Sequence, residues 1–165
     1  MKFQLTTDYA IRIIGFLYRN QGRLVTAQEV ADEVSVTYQI FMKVSSQLKK
    51  GKLLKTTQGC MGGYSLVKRG EEISLYDIIE LMEGPITVNR CLQNDRHCSG
   101  DFTTVCPVHK TFADLQRTII NTLSEVHISD LWTLESSPED RRNEENRRGL
   151  EDIAASISAL SGAGV

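Results

Sequence analysis

The chain has 165 residues, 41% of them hydrophobic, and a formal net charge of -2; this suffices for a folded core and excludes wholesale disorder. No run of about eighteen apolar residues occurs, which excludes a membrane-spanning helix. Charge is segregated: residues 1–70 hold eleven Lys and Arg against four Asp and Glu, and residues 71–165 hold the other eight against seventeen. A basic first half is the layout of a nucleic-acid reader.

The opening stretch carries Asp8, Arg12 and Arg19 within its apolar pattern and lacks a small-residue cleavage site, so it reads as structure and not as an export signal. The expected location is the cytoplasm. A first helix is expected from near Thr7 and Asp8, burying Ile11, Ile14 and Leu17 and ending at Asn20-Gln21-Gly22. Thr26, with Glu29 three residues on, has the capping-box spacing and opens a second helix that buries Val30, Ala31 and Val34. Thr37 caps a third, with Ile40, Phe41, Val44 and Leu48 inward and Tyr38, Gln39, Met42, Lys43 and Ser46 outward. Two short helices across a tight polar turn form a helix-turn-helix pattern, the second being the recognition helix.

Leu53–Thr57 and Tyr64–Val67 read as paired strands around the glycine-rich turn Gln58-Gly59-Cys60-Met61-Gly62-Gly63. Glycine there allows positive dihedrals and close approach of backbone N–H groups to phosphate. Lys49, Lys50, Lys52, Lys55, Lys68 and Arg69 flank these elements. The expected fold is therefore mainly α with a small β-hairpin wing, a winged helix-turn-helix. Ser74 then caps a helix through Ile78, Ile79 and Met82, closed by Gly84-Pro85. A long helix from about Val108 to Val126 carries Phe112, Leu115, Ile119, Leu123 and Val126 on one narrow stripe, which suits a partner helix and is read as the dimerisation helix, the same periodicity also fitting a helix packed back on its own domain. From Ser136 the composition turns to charge clusters and reads as a solvated tail, with Leu150, Ile153, Ile157 and Leu160 spaced for a short amphipathic helix. The resulting division is a DNA-binding domain at 1–85, a cysteine loop at 86–107, a dimerisation region at 108–135 and a tail at 136–165.

Cys91, Cys98 and Cys106 fall within sixteen residues, with His109 three beyond the last. Zinc knuckles pair their ligands at shorter intervals, and only Cys106-x2-His109 resembles half of one. Well-spaced thiolates on a polar loop better suit an iron–sulfur cluster, whose several irons need soft ligands approaching from different directions. A zinc- or thiol-based site is the alternative. Cys60, alone in the wing, is assigned no role, and His97 and His127 read as surface or capping residues. Neither a phosphate-binding glycine loop nor a catalytic triad is present in the sequence, so no enzyme is expected.

Together these features resemble the Rrf-type bacterial winged-helix regulators, a family that includes IscR, NsrR and CymR. The resemblance runs over roughly residues 1–134. It is carried by Asp8-Tyr9-Ala10, the Thr37–Leu48 helix, Gly59-x-x-Gly62-Gly63-Tyr64-x-Leu66, Asp77-Ile78-Ile79-Glu80, Glu83-Gly84-Pro85-Ile86, the three cysteines and Ile128-Ser129-Asp130-Leu131. It implies a homodimer in which Cys91, Cys98 and Cys106 hold an iron–sulfur cluster. The fourth ligand would be His109, as in IscR-like members with a two-iron cluster, or Asp8 from the partner subunit, as in NsrR-like members with a four-iron cluster. The sequence-local histidine tips the choice toward the two-iron form. The cysteine intervals are longer than those common in either branch, and Gln58 stands where the wing usually has arginine.

The function expected from the sequence is a transcription regulator, a repressor or dual, that senses iron–sulfur status, redox state or nitric oxide. Its partner would be an imperfect palindrome of double-stranded DNA. Thr37, Tyr38, Gln39, Lys43 and Lys49, with Gln58, Gly59, Gly62, Gly63 and Tyr64 of the wing, are the expected DNA-binding residues. An iron–sulfur carrier that binds no DNA is the more distant alternative.

Overall fold

A computed structural model describes residues 2–59, 62–93, 98 and 105–133. The expectations for Cys60, His97 and the tail from Ser136, with its possible short helix, fall outside the described residues. The described elements up to Leu131 form one compact unit.

The first helix, α1, runs Leu5–Arg19 and buries Thr7, Ala10, Ile13, Ile14 and Leu17. It begins two residues before the sequence suggests. Its cap comes from far along the chain: Oε1 of Glu83 accepts from the Gln4 N–H at 2.6 Å and from the Thr7 hydroxyl at 2.5 Å. The buried stripe is rotated accordingly, so Ile13 enters the core and Ile11 is only half-buried. At the other end the Asn20 side-chain amide donates to the Phe16 carbonyl at 2.9 Å.

Helix α2 covers Ala27–Glu33 and α3 covers Tyr38–Lys50, each capped by the expected threonine. The Thr26 hydroxyl accepts from the Glu29 N–H at 3.2 Å, and the Thr37 hydroxyl from the Ile40 N–H at 3.3 Å. Such caps satisfy N–H groups that the first turn of a helix leaves without partners. Between the two helices Ser35 takes a positive φ of 56°, and the Val36 N–H returns to the Ala31 carbonyl at 2.9 Å. Val30, Ala31, Val34, Phe41, Val44 and Leu48 are all buried, as their spacing requires.

Strands β1 (Leu54–Thr57) and β2 (Gly63–Leu66) pair antiparallel, Leu54 opposite Leu66 and Thr57 opposite Gly63. Val25, just before α2, adds a single bridge to Tyr64, which ties the hairpin to the helical body. Helix α4 (Leu75–Glu83) opens on a full capping box, Ser74 with Asp77, and closes at Gly84 with φ 84°. The segment at 86–107 is not wholly irregular, since Arg90–Leu92 form a 3-10 turn.

Helix α5 spans Pro107–Glu125 and α6 spans Ile128–Thr133. The chain between them is stitched to the start of α4: the Leu75 N–H donates to the Val126 carbonyl at 2.9 Å, and the Ile128 N–H to the Ile73 carbonyl at 3.0 Å. Phe41, Ile13, Ile14, Leu17, Leu48, Ile73, Ile78 and Ile128 make the core of this unit. Helix α5 differs from the others in having no fully buried residue. Phe112, Ile119 and Leu123 are half-buried, while Leu115 and Val108 remain 46% and 55% exposed. An apolar stripe left open along a nineteen-residue helix is a surface that still has area to bury.

Candidate functional site

The candidate nucleic-acid interface is built from α3 and the hairpin. The cap at Thr37 fixes where α3 starts, and its period then turns Tyr38, Gln39, Met42, Lys43 and Ser46 to solvent. Tyr38 is 49% exposed. Thr37, Gln39, Lys43 and the wing residues Gln58 and Gly59 are also exposed.

The wing glycines have different jobs. Gly59 has φ +119° and carries the turn. The Gly62 N–H donates to the Gly59 carbonyl at 2.9 Å, and a Cβ at 62 would run into the Thr57 carbonyl oxygen. Gly63 is buried, and a Cβ there would sit 2.7 Å from the Val25 carbonyl oxygen. Tyr64 is 7% exposed: its ring meets Phe41 edge-on at 4.9 Å, and its hydroxyl donates to Sδ of Met42 at 3.5 Å. Gly63 and Tyr64 thus lie within the fold, whereas Gln58 and Gly59 lie on its surface.

Electrostatics sharpen this face. Arg12, Arg19, Arg23 and Arg69 are each paired with a carboxylate, those of Asp8, Glu33, Glu29 and Glu72. The Arg23 pair holds the Glu29 carboxyl below its ordinary range, chiefly through the side-chain hydrogen bond. Among the described residues none of Lys43, Lys49, Lys50, Lys52 and Lys55 lies in an ion pair. Lysine, not arginine, therefore supplies the uncompensated positive charge around α3 and the wing, and uncompensated charge is what a phosphate backbone meets first.

The second cluster gathers where the 3-10 turn meets the start of α5. Asn89 caps that turn, its Oδ1 accepting from the Arg90 N–H at 2.8 Å, while its Nδ2 donates to Sγ of Cys91 at 3.7 Å. Nδ1 of His109 lies 3.4 Å from the same sulfur. Cys106 is the N-cap of α5, Pro107 its first residue, and His109 stands in its first turn. Cys91, Cys98 and Cys106 are each half-buried. Asp8 is paired within its own helix to Arg12 at 2.7 Å. Among the described residues no three Cys, His, Asp or Glu side chains converge on one point.

In kind, the donors fit an iron–sulfur cluster: soft thiols, half-shielded from water, with an imidazole nitrogen already against one sulfur. Two contributors escaped sequence reasoning. Asn89 follows from a local signal, an Asx residue ahead of a short helical turn. Glu83 stands in a motif quoted above, but its role as the cap of α1 had no local signal, because its partners lie 76 and 79 residues away.

Comparison with known proteins agrees with this architecture. Residues 3–133 match the model of the Rrf2 family, described as an iron-dependent transcriptional regulator. A helix-turn-helix transcriptional regulator of Aquifex aeolicus (strain VF5) is 30% identical over 135 residues, covering 82% of this chain and 94% of the relative. The helix-turn-helix transcriptional regulator NsrR of Bacillus licheniformis is 32% identical over 100 residues, 59% of this chain and 70% of that protein. The structure of CymR, the global cysteine regulator of B. subtilis, superposes with a TM-score of 0.67 at 20% identity, over 82% of this chain and 99% of that one. The last is a likeness of fold.

Proposed function

This chain belongs to the Rrf2 family of DNA-binding transcriptional regulators, and from that premise we propose that it acts as a homodimer whose reading of DNA depends on an iron–sulfur cluster. The observation that carries the cluster assignment is the 3.4 Å approach of His109 Nδ1 to Cys91 Sγ, which joins the two ends of the cysteine segment. Cys91, Cys98 and Cys106 would hold the cluster. His109 is the preferred fourth ligand over Asp8, because Asp8 is engaged with Arg12; a two-iron cluster is the form this favours. When bound, the cluster supplies a centre sensitive to iron–sulfur supply, redox state or nitric oxide.

The protein's own residues do the rest. The dimer presents two α3 helices to successive major grooves of an imperfect palindrome. Thr37, Tyr38, Gln39 and Lys43 meet bases and phosphates there, Lys49 meets phosphate, and the wing tip at Gln58 and Gly59 lies along the backbone. The 86–107 segment is continuous with α4 on one side and α5 on the other, and α4 touches α1 through Glu83. A change in how that segment is held therefore has a covalent and hydrogen-bonded route to the helices that carry α3.

The test is anaerobic purification followed by iron, zinc and acid-labile sulfide analysis and visible absorption. Iron and sulfide in equal amounts, lost in Cys98→Ala and altered in His109→Ala but not in Asp8→Ala, is the expected result. Zinc without sulfide would make it a zinc- or thiol-based regulator. Unchanged spectra in both Cys98→Ala and His109→Ala would end the assignment.

A further inference from the structure

The recognition helix and the wing meet at one side chain. Tyr64 exchanges both backbone hydrogen bonds with Val25, at 2.8 and 3.1 Å. Gly63 permits that approach by lacking a Cβ. The ring packs edge-on against Phe41, with an interplanar angle of 81°. The Lys49 ammonium lies 5.9 Å from the ring centre, within cation–π range. Finally the hydroxyl donates to Sδ of Met42.

Met42 and Lys49 are seven residues apart on α3, two turns of one face. Met42 belongs to the outward face, 37% exposed and next to Lys43. A buried phenol normally ends on a strong acceptor, and a thioether is a weak one. The contact adds little to folding, yet it fixes the direction of a side chain on the reading face.

We propose that Tyr64 is a positioning residue for DNA recognition and that Met42 is the specificity-determining residue it positions. Tyr64 does not touch the duplex. It holds the wing, the Met42 thioether and the Lys49 ammonium in one fixed relation. Met42 then offers an apolar, polarisable tip to the major groove, where the thymine methyl is the apolar feature to be read. This rests on the reading of α3 as the recognition helix.

The test uses the full-length chain and duplexes that it enriches from a random-sequence pool. Tyr64→Phe removes only the hydroxyl and keeps the ring against Phe41 and Lys49. It should leave the melting temperature and the affinity for unselected duplex nearly unchanged while weakening the selected duplex about twofold, the low end of the value of one hydrogen bond. Met42→Leu should also weaken the selected duplex, and in that background Tyr64→Phe should cost nothing further, since the phenol acts only through the thioether. Tyr64→Leu should also lower the salt dependence of binding by about one phosphate contact, through Lys49.

Additive losses in the double variant, or equal losses on selected and unselected duplexes, would overturn the proposal and leave the DNA-reading assignment standing. Failure of the wild-type chain to enrich any duplex would overturn both. If Tyr64→Leu does not fold, the phenylalanine variant and the double variant decide alone.

Discussion

Gly63 shows how narrow the tolerance of the wing is. Its Cα faces the backbone of Val25, with the carbonyl oxygen 2.7 Å and the amide nitrogen 3.0 Å from where a Cβ would stand. Backbone atoms cannot swing aside as the end of a side chain can, so either the hairpin or the segment before α2 must move. Gly63→Ala should therefore cost roughly 1–3 kcal/mol, the usual penalty of overpacking, read as a lower midpoint in chemical denaturation. Gly22 offers a contrast: its φ is 100° but nothing lies within 4 Å of its Cβ position, so the penalty of substitution there is conformational alone.

Among the elements, α1 is held by a carboxylate from α4. The Thr7 hydroxyl and then the Gln4 N–H keep the Glu83 carboxyl below its ordinary range, because both hydrogen bonds favour the charged form. A carboxyl whose folded pKa is depressed contributes stability above its unfolded pKa, about 4.3, and that contribution is lost as pH falls through the lower folded value. Glu83→Ala should lower stability at neutral pH by on the order of 1 kcal/mol, as loss of a helix cap does. Below the folded pKa of Glu83 the variant and the parent should converge. Thermal melts of both across the acid range check this, and a gap that stays constant with pH would refute it.

The same helix marks what the sequence could and could not reveal. Thr26, Thr37 and Ser74 were legible as caps because a cap and its N–H lie three residues apart, and each makes that bond. Glu83 was not legible, because nothing local ties residue 83 to residues 4 and 7, and so the start of α1 was misplaced. The outward residues of α3 were legible from period alone. Burial of Tyr64 was not: in a two-stranded hairpin either face can be the covered one, and only the packing of Phe41 decides it. The Cys91–His109 approach joins residues eighteen apart across a poorly periodic segment, where pattern gives the donors but no geometry.

For the whole molecule, the open stripe on α5 bears on assembly. Its exposed Leu115 and Val108 and its half-buried Phe112, Ile119 and Leu123 lie along one long helix. If two copies cover this stripe, a charge placed in it must be buried unpaired, which is far more costly than losing the apolar contact. Leu115→Glu should shift the protein toward the monomer in sedimentation at micromolar concentration and weaken binding to a palindromic duplex more than to a half-site. It should leave the fold of a single chain intact, since Leu115 is not part of the core. A variant that still sediments as the dimer would place the interface elsewhere.

The long-range ties have a consequence for synthesis. A ribosome delivers α1 first, but the carboxylate that completes its first turn arrives only with residue 83, and the backbone partners of residues 73 and 75 arrive with residues 126 and 128. The emerging chain can therefore make α3 early, whereas the start of α4 gains its backbone partners only once α5 has been translated. Contacts of such sequence separation form late. A message broken off before residue 126 therefore yields a chain that lacks both backbone bonds at the start of α4, and such a chain should melt at a lower temperature than the full-length protein.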